Sequence, residues 1–273
     1  MPPKDAEGSS GPIRFVQRNQ LVVFIILAYA LSWWAWVWYR IDPVNVDAPI
    51  LPIGPLLAAL IVLAIAGGWP AIRKMLRKIV HWRVGWKWYA LVLLLPVALT
   101  LSALAINFLL GAQRVAASEV PDAGQMAVRF VFIFLWIGLG EEPGWRGFAL
   151  PRLLIGRTAL AAALILGLIH MVWHAPLYGV EYDSANVLPW GISVVCYSIV
   201  VCWIYLHTGG SLLMPMLMHA SNNTIAFVWR MFEGGDQLRL WWIWCFLWVI
   251  TAIVIVVTTG PNLSRNRPET AIK

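Results

Sequence analysis

Residues 128–152 read VRFVFIFLWIGLGEEPGWRGFALPR, an apolar run that belongs in hydrocarbon yet continues into two adjacent carboxylates and an arginine. Crossing a hydrocarbon layer roughly 30 Å thick takes about 20 mostly apolar residues, and runs of that kind recur along the 273-residue chain. Hydrophobic residues make up 60% of it and charged ones 12%, with a mean hydropathy of +0.74. Soluble domains hold roughly 45–50% apolar residues, so a soluble enzyme is excluded. The expected fold class is all-α, a polytopic transmembrane helix bundle of about eight spans.

The spans are expected near 20–39, 50–67, 88–111, 126–149, 158–176, 187–206, 210–230 and 240–259. Residues 20–260 read as one transmembrane domain with a motif core over 135–225, and the stretches 1–19 and 261–273 read as loose polar tails. The first span runs on into WWAWVWY at 33–39, too far for a cleaved signal peptide with a small-residue processing site. Many of the 18 Trp gather near span ends, among them Trp33, Trp34, Trp36, Trp38, Trp86, Trp88, Trp241 and Trp242, where amphipathic rings anchor at headgroup level. Cys196, Cys202 and Cys245 lie within spans without metal-type spacing and read as small apolar fillers.

The net charge of +7 is spread by membrane side. With a cytoplasmic N-terminus, about fifteen Lys and Arg fall on the inner side, and an even number of spans puts both termini there, in a multi-pass protein of the cell membrane. The basic stretch RKMLRKIVHWRVGWKW at 73–88 is expected at the membrane surface, with residues 73–87 facing anionic lipid rather than nucleic acid.

Ionisable residues at membrane depth are costly and tend to mark function. Residues four apart share a helix face, so Glu142 stacks on Arg146 while Glu141 points elsewhere. Glu142 is then held by the guanidinium and Glu141 is left for chemistry; a helix-end ion network is the other reading of these three. His170 and His174 share a face and could ligate one metal, or act as structural histidines. In MPMLMHASNNT at 214–224, His219 and Asn223 are again four apart, whereas Asn222 turns away. They could stabilise an oxyanion or serve as interhelical glue. His207, in a short connection, is given no role. Without a GxSxG elbow, GxGxxG or HExxH, this inventory fits water activation best, with Glu141 as general base, a His orienting the water or sharing a metal, and His219 with Asn223 as oxyanion pocket.

In order and spacing these residues resemble the CPBP intramembrane proteases, the group of the type II CAAX prenyl endopeptidase and of bacterial abortive-infection homologues. The EExxxR signature is matched by Glu141, Glu142 and Arg146, FxxxH by His170 and His174, and HxxxN by His219 and Asn223. The resemblance extends over about 135–225, through WRGFALPRL and WHAPLY, and departs from the family where His170 stands in place of Phe. It implies that Glu141 and His174 act on the attacking water, that His219 and Asn223 stabilise the oxyanion, and that Glu142, Arg146 and His170 support them. The expected activity is that of a glutamate-dependent or metallo-endopeptidase cutting a membrane-embedded peptide or protein. If a metal such as zinc takes part, Glu141, His174 and His219 are the expected ligands. A scaffold or immunity protein, or a proton or ion carrier using the same buried groups, is the rival function.

For Glu141 and His174 to share a water, the fourth helix has to continue through RGFALPRL to about residue 153, with a bend at Pro143.

Overall fold

The computed structural model describes residues 11–42, 52–113, 120–179 and 184–264. Among these the chain forms nine helices, α1 Gly11–Arg18, α2 Gln20–Ile41, α3 Gly54–Ile79, α4 Trp86–Leu109, α5 Ala123–Leu153, α6 Ala159–Trp173, α7 Val187–His207, α8 Leu213–Thr224 and α9 Gly234–Thr259. The all-α bundle is therefore as expected. Six of the helices, α2, α3, α4, α5, α7 and α9, are long and apolar enough to cross a membrane.

The other two expected spans are shorter, and they carry the histidine motifs. Helix α6 has 15 residues and α8 has 12, about 22 and 18 Å at 1.5 Å per residue. Helix α6 stops because Pro176 follows closely, and α8 tightens into a 3₁₀ segment, Ile225–Met231.

Helix α5 does continue to Leu153, past Glu141. It contains two π-helical turns, Ile133–Gly138 and Pro143–Ala149, with the two glutamates in the α-helical turn between them. Pro143 opens the second π turn, so the missing N–H falls where the hydrogen-bond ladder is already changing register. Each π turn admits an extra residue and re-aims the side chains that follow.

Two glycines let α5 approach the start of α3. A Cβ on Gly140 would lie 2.8 Å from the Pro52 carbonyl oxygen, and one on Gly144 2.5 Å from the Pro55 backbone. The stretch GEEPG is thus also a close-packing small-xxx-small contact.

The bundle has two distinguishable ends. At one, Arg152 donates to Gln20 Oε1, at 2.6 and 3.1 Å, Lys78 to the Tyr205 hydroxyl at 2.8 Å, and Ser211 to the His81 carbonyl at 2.7 Å. At the other, Asn186 donates to Gln237 at 3.1 Å, the Gln113 amide to Asp236 at 3.0 Å, and Arg40 to the Tyr178 carbonyl.

Three local expectations change. Residues 11–18, read as tail, form α1; residues 1–10 and 265–273 of the two expected tails lie outside the described residues. The basic stretch is divided between elements: residues 73–79 close α3, beyond a break at Gly68 with φ 60° after which the helix resumes through Pro70, and 86–88 open α4. Glycine takes that backbone angle at little cost and proline suits the first turn of the resumed helix. Trp34, Trp38 and Trp86 are exposed as anchors should be, but Trp36 and Trp241 are buried, since they sit on the inward faces of α2 and α9.

Candidate active site

The π turns of α5 deliver Glu141 and Glu142 into different surroundings. Glu142 Oε1 accepts from Arg146 at 3.1 Å and from His219 Nδ1 at 2.8 Å, and all three side chains are buried. The carboxylate therefore joins α5 to α8 as well as steadying its own helix. A carboxylate oxygen only accepts, so the His219 proton on this side is at Nδ1. For His219 to donate from Nε2 as well, the ring must carry both protons, and Glu142 is the counter-charge for that form.

Glu141 faces α6. Its Oε2 lies 2.9 Å from His170 Nε2. One turn on, His174 Nδ1 is 2.9 Å from the His170 carbonyl, which can only accept; Nδ1 thus carries the proton and Nε2 the lone pair. The aromatic shell fixes both rings. His170 lies between Trp145 and Trp173, at centroid distances of 5.3 and 5.8 Å, and His174 between Trp173 and Trp190, at 4.8 and 5.1 Å.

The ligand atoms of Glu141, His170 and His174 all lie within 4.8 Å of one another. Two imidazoles and a carboxylate suit a catalytic zinc with an open position. His174 meets a usual requirement of a metal-ligating histidine, since its Nδ1 bonds the His170 carbonyl and leaves Nε2 for the ion. At His170 the buried Nδ1 has no hydrogen-bond partner among the described residues, and its Nε2 serves either the Glu141 contact or an ion, not both. Among the described residues the group that could hold a metal is Glu141, His170 and His174; of the expected set Glu141, His174 and His219, the last bonds Glu142 through Nδ1.

These side chains line a cavity of about 480 Å³ whose wall includes Glu141, His170, His174, His219, Asn222 and Asn223. Asn222 was expected to turn away, yet its amide reaches Asn223 Oδ1 at 3.1 Å. Its length lets it fold back along α8, which loosens into the 3₁₀ segment just beyond. Asn223 lines the cavity too, and its side-chain amide nitrogen is the donor an oxyanion would need. The backbone of Asn223 is tied to α5 by Arg129, whose Nε and NH2 donate to its carbonyl at 3.4 and 3.3 Å.

Sequence reading took Trp36 and Trp241 for lipid anchors and gave no part in the site to them or to Trp173, Trp190, Trp229, Trp244 and Tyr197 of the wall. Only their spacing on apolar helices was visible, and it is the same for a lipid anchor and a cavity wall.

A polytopic helix bundle with an acid and imidazole centre in a buried aromatic cavity is the class defined by fold and site. Comparison with known proteins narrows it. Residues 123–225 match the family described as type II CAAX prenyl endopeptidase Rce1-like. A CAAX prenyl protease 2 of Methanococcus maripaludis is 27% identical over 105 residues, 35% of this chain and 39% of that protein. The match covers the segment 123–225 that carries all three motifs, and the chain spans about 39% of the length of that relative.

Proposed function

We propose that the chain is an intramembrane endopeptidase that hydrolyses a peptide bond of a membrane-associated substrate. The observation that carries this is the union, in one cavity, of a carboxylate bonded to one imidazole with a second imidazole beside it, facing a His and Asn pair on another helix. The printed name of the methanococcal relative speaks of CAAX prenyl proteolysis for that protein. For this chain we infer the wider class, a peptide segment entering from the membrane.

In this reading Glu141 takes a proton from a water that attacks the scissile carbonyl carbon, while the His174 Nε2 lone pair orients that water. His170 holds Glu141 in place through Nε2. The carbonyl oxygen, now an oxyanion, is met by the Asn223 amide and by His219 Nε2, with Glu142 balancing the charge on the ring. Collapse of the tetrahedral centre breaks the carbon–nitrogen bond, and the proton held by Glu141 goes to the leaving amine. A divalent ion at Glu141, His170 and His174, if bound, would supply Lewis-acid polarisation and a more acidic water.

The test is cleavage of membrane-anchored peptides by the detergent-purified protein, beside Glu141→Gln and with a zinc chelator. The expected result is cleavage by the wild type and loss of at least about 10²-fold in the variant, the size associated with a general base, with its melting curve unchanged. Equal turnover by Glu141→Gln would sink the proposal, as would pH-driven proton flux without any cleavage. Loss of cleavage in the chelator lane, restored by added zinc, assigns the metal; full activity there leaves the acid and base route alone.

A further inference from the structure

The two ends of the bundle differ in charge and in access to the cavity, and the two differences are independent. At the end defined by the Arg152–Gln20 and Lys78–Tyr205 contacts, the described residues carry ten basic side chains and no acidic one. They are Arg14 and Arg18 on α1, six in the segment 73–87, and Arg152 with Arg157 after α5. At the end defined by the Asn186–Gln237 contact, the described residues carry four of each sign: Arg40, Arg129, Arg230 and Arg239 against Asp42, Asp122, Glu233 and Asp236. An excess of Lys and Arg in short connections marks the cytoplasmic side of a membrane bundle, and acidic residues weigh little in that bias.

The cavity belongs to the less basic end. Each helix lining it contributes from the half that points there: Trp36 late on α2, Arg129 early on α5, Trp190 early on α7 and Trp241 early on α9, along with Asn186 in the connection before α7 and Arg230 at the close of the 3₁₀ segment. Exposure falls along the way in. Arg129 and Arg230 are exposed, whereas Glu141 and His170 at the base retain 3% and 4% of their surface. Below them the path to the basic end is closed by fully buried side chains, Glu142, Arg146, Phe148, Leu150, Leu212 and Met214.

We propose that the catalytic cavity opens on the extracytoplasmic side of the membrane, opposite the basic belt, and receives peptide segments presented from that compartment. The direction of opening stands on charge and burial alone; the nature of the occupant rests on the endopeptidase reading above. The substrate class becomes the translocated or outer-face portion of a membrane-anchored protein rather than a tail left in the cytoplasm. The belt on the inner side then holds the bundle against anionic lipid and takes no part in selecting substrate.

The test is topological and needs no cleavage, so it can fail while the endopeptidase reading stands. In a variant lacking Cys196, Cys202 and Cys245, Gly235→Cys reports on the cavity end and Gly11→Cys on the basic end; a side chain at either position meets nothing within 4 Å, so folding is not at stake. Cells expressing the full chain are treated with a membrane-impermeant maleimide, before and after permeabilisation. The expected result is labelling of Gly235→Cys in intact cells and of Gly11→Cys only after permeabilisation. A second pair, Glu233→Cys and Lys74→Cys, should behave the same way. The reverse pattern, equal labelling of the two ends, or no labelling at the cavity end until permeabilisation would each overturn the proposal.

Discussion

Replacing Gly144 by alanine should disable the site without touching any group that reacts. The added Cβ would lie 2.5 Å from the Pro55 backbone carbon and oxygen and 2.6 Å from its Cβ, where ordinary contact begins at 3.4 Å. The difference between 3.4 and 2.5 Å is about 0.9 Å, and neither a helical backbone nor a proline can swing aside to supply it. So α5 must move away from α3 by nearly that distance. Glu141 is three residues before Gly144 on α5, and the His170 bonded to it at 2.9 Å is on a different helix, so the displacement falls on that contact. Overpacking of this kind costs about 1–3 kcal/mol of stability, and a 1 Å misplacement at a reacting centre can cost about 10²-fold in rate. Purified Gly144→Ala should therefore melt earlier in detergent and cleave a membrane-anchored peptide about a hundredfold more slowly. Gly11→Ala, with nothing within 4 Å, is the control and should do neither. Wild-type melting together with wild-type turnover in Gly144→Ala would refute the claim that close backbone approach of α5 and α3 sets the geometry of the site.

Removing one partner of the buried pair, as in Arg146→Met, should cost up to about 3–5 kcal/mol, because Glu142 then keeps only its contact with His219. The double variant with Glu142→Gln should recover part of that, and additive losses in detergent melting would show the two groups to be energetically independent. Asn223→Ala should lower kcat by about 10²–10³-fold with little change in KM, as expected for loss of one oxyanion donor; steady-state kinetics that show a KM effect alone would instead make Asn223 a substrate contact.

The sequence by itself determined the membrane bundle and the chemical inventory. Apolar runs have one low-energy solution in lipid, helices that satisfy their own backbone, and the i, i+4 spacing of Glu142 with Arg146 fixed a contact that is local to one helix. The need for α5 to run past Glu141 was also legible, because Glu141 and His174 could not otherwise share a water. What lies between helices was not legible. That Glu142 also holds His219, 77 residues away, and that His170 comes within ligand distance of Glu141 and His174, depends on the rotation of α5, α6 and α8 about their axes. Two π turns in α5 and the glycine contacts with α3 set that rotation, and hydropathy carries no record of either. The same limit explains the tryptophans, since an aromatic near a span end reads alike whether it faces lipid or a cavity. Intrahelical spacing is written in the chain because the α-helix has a fixed pitch; the register between helices is decided only when their surfaces meet.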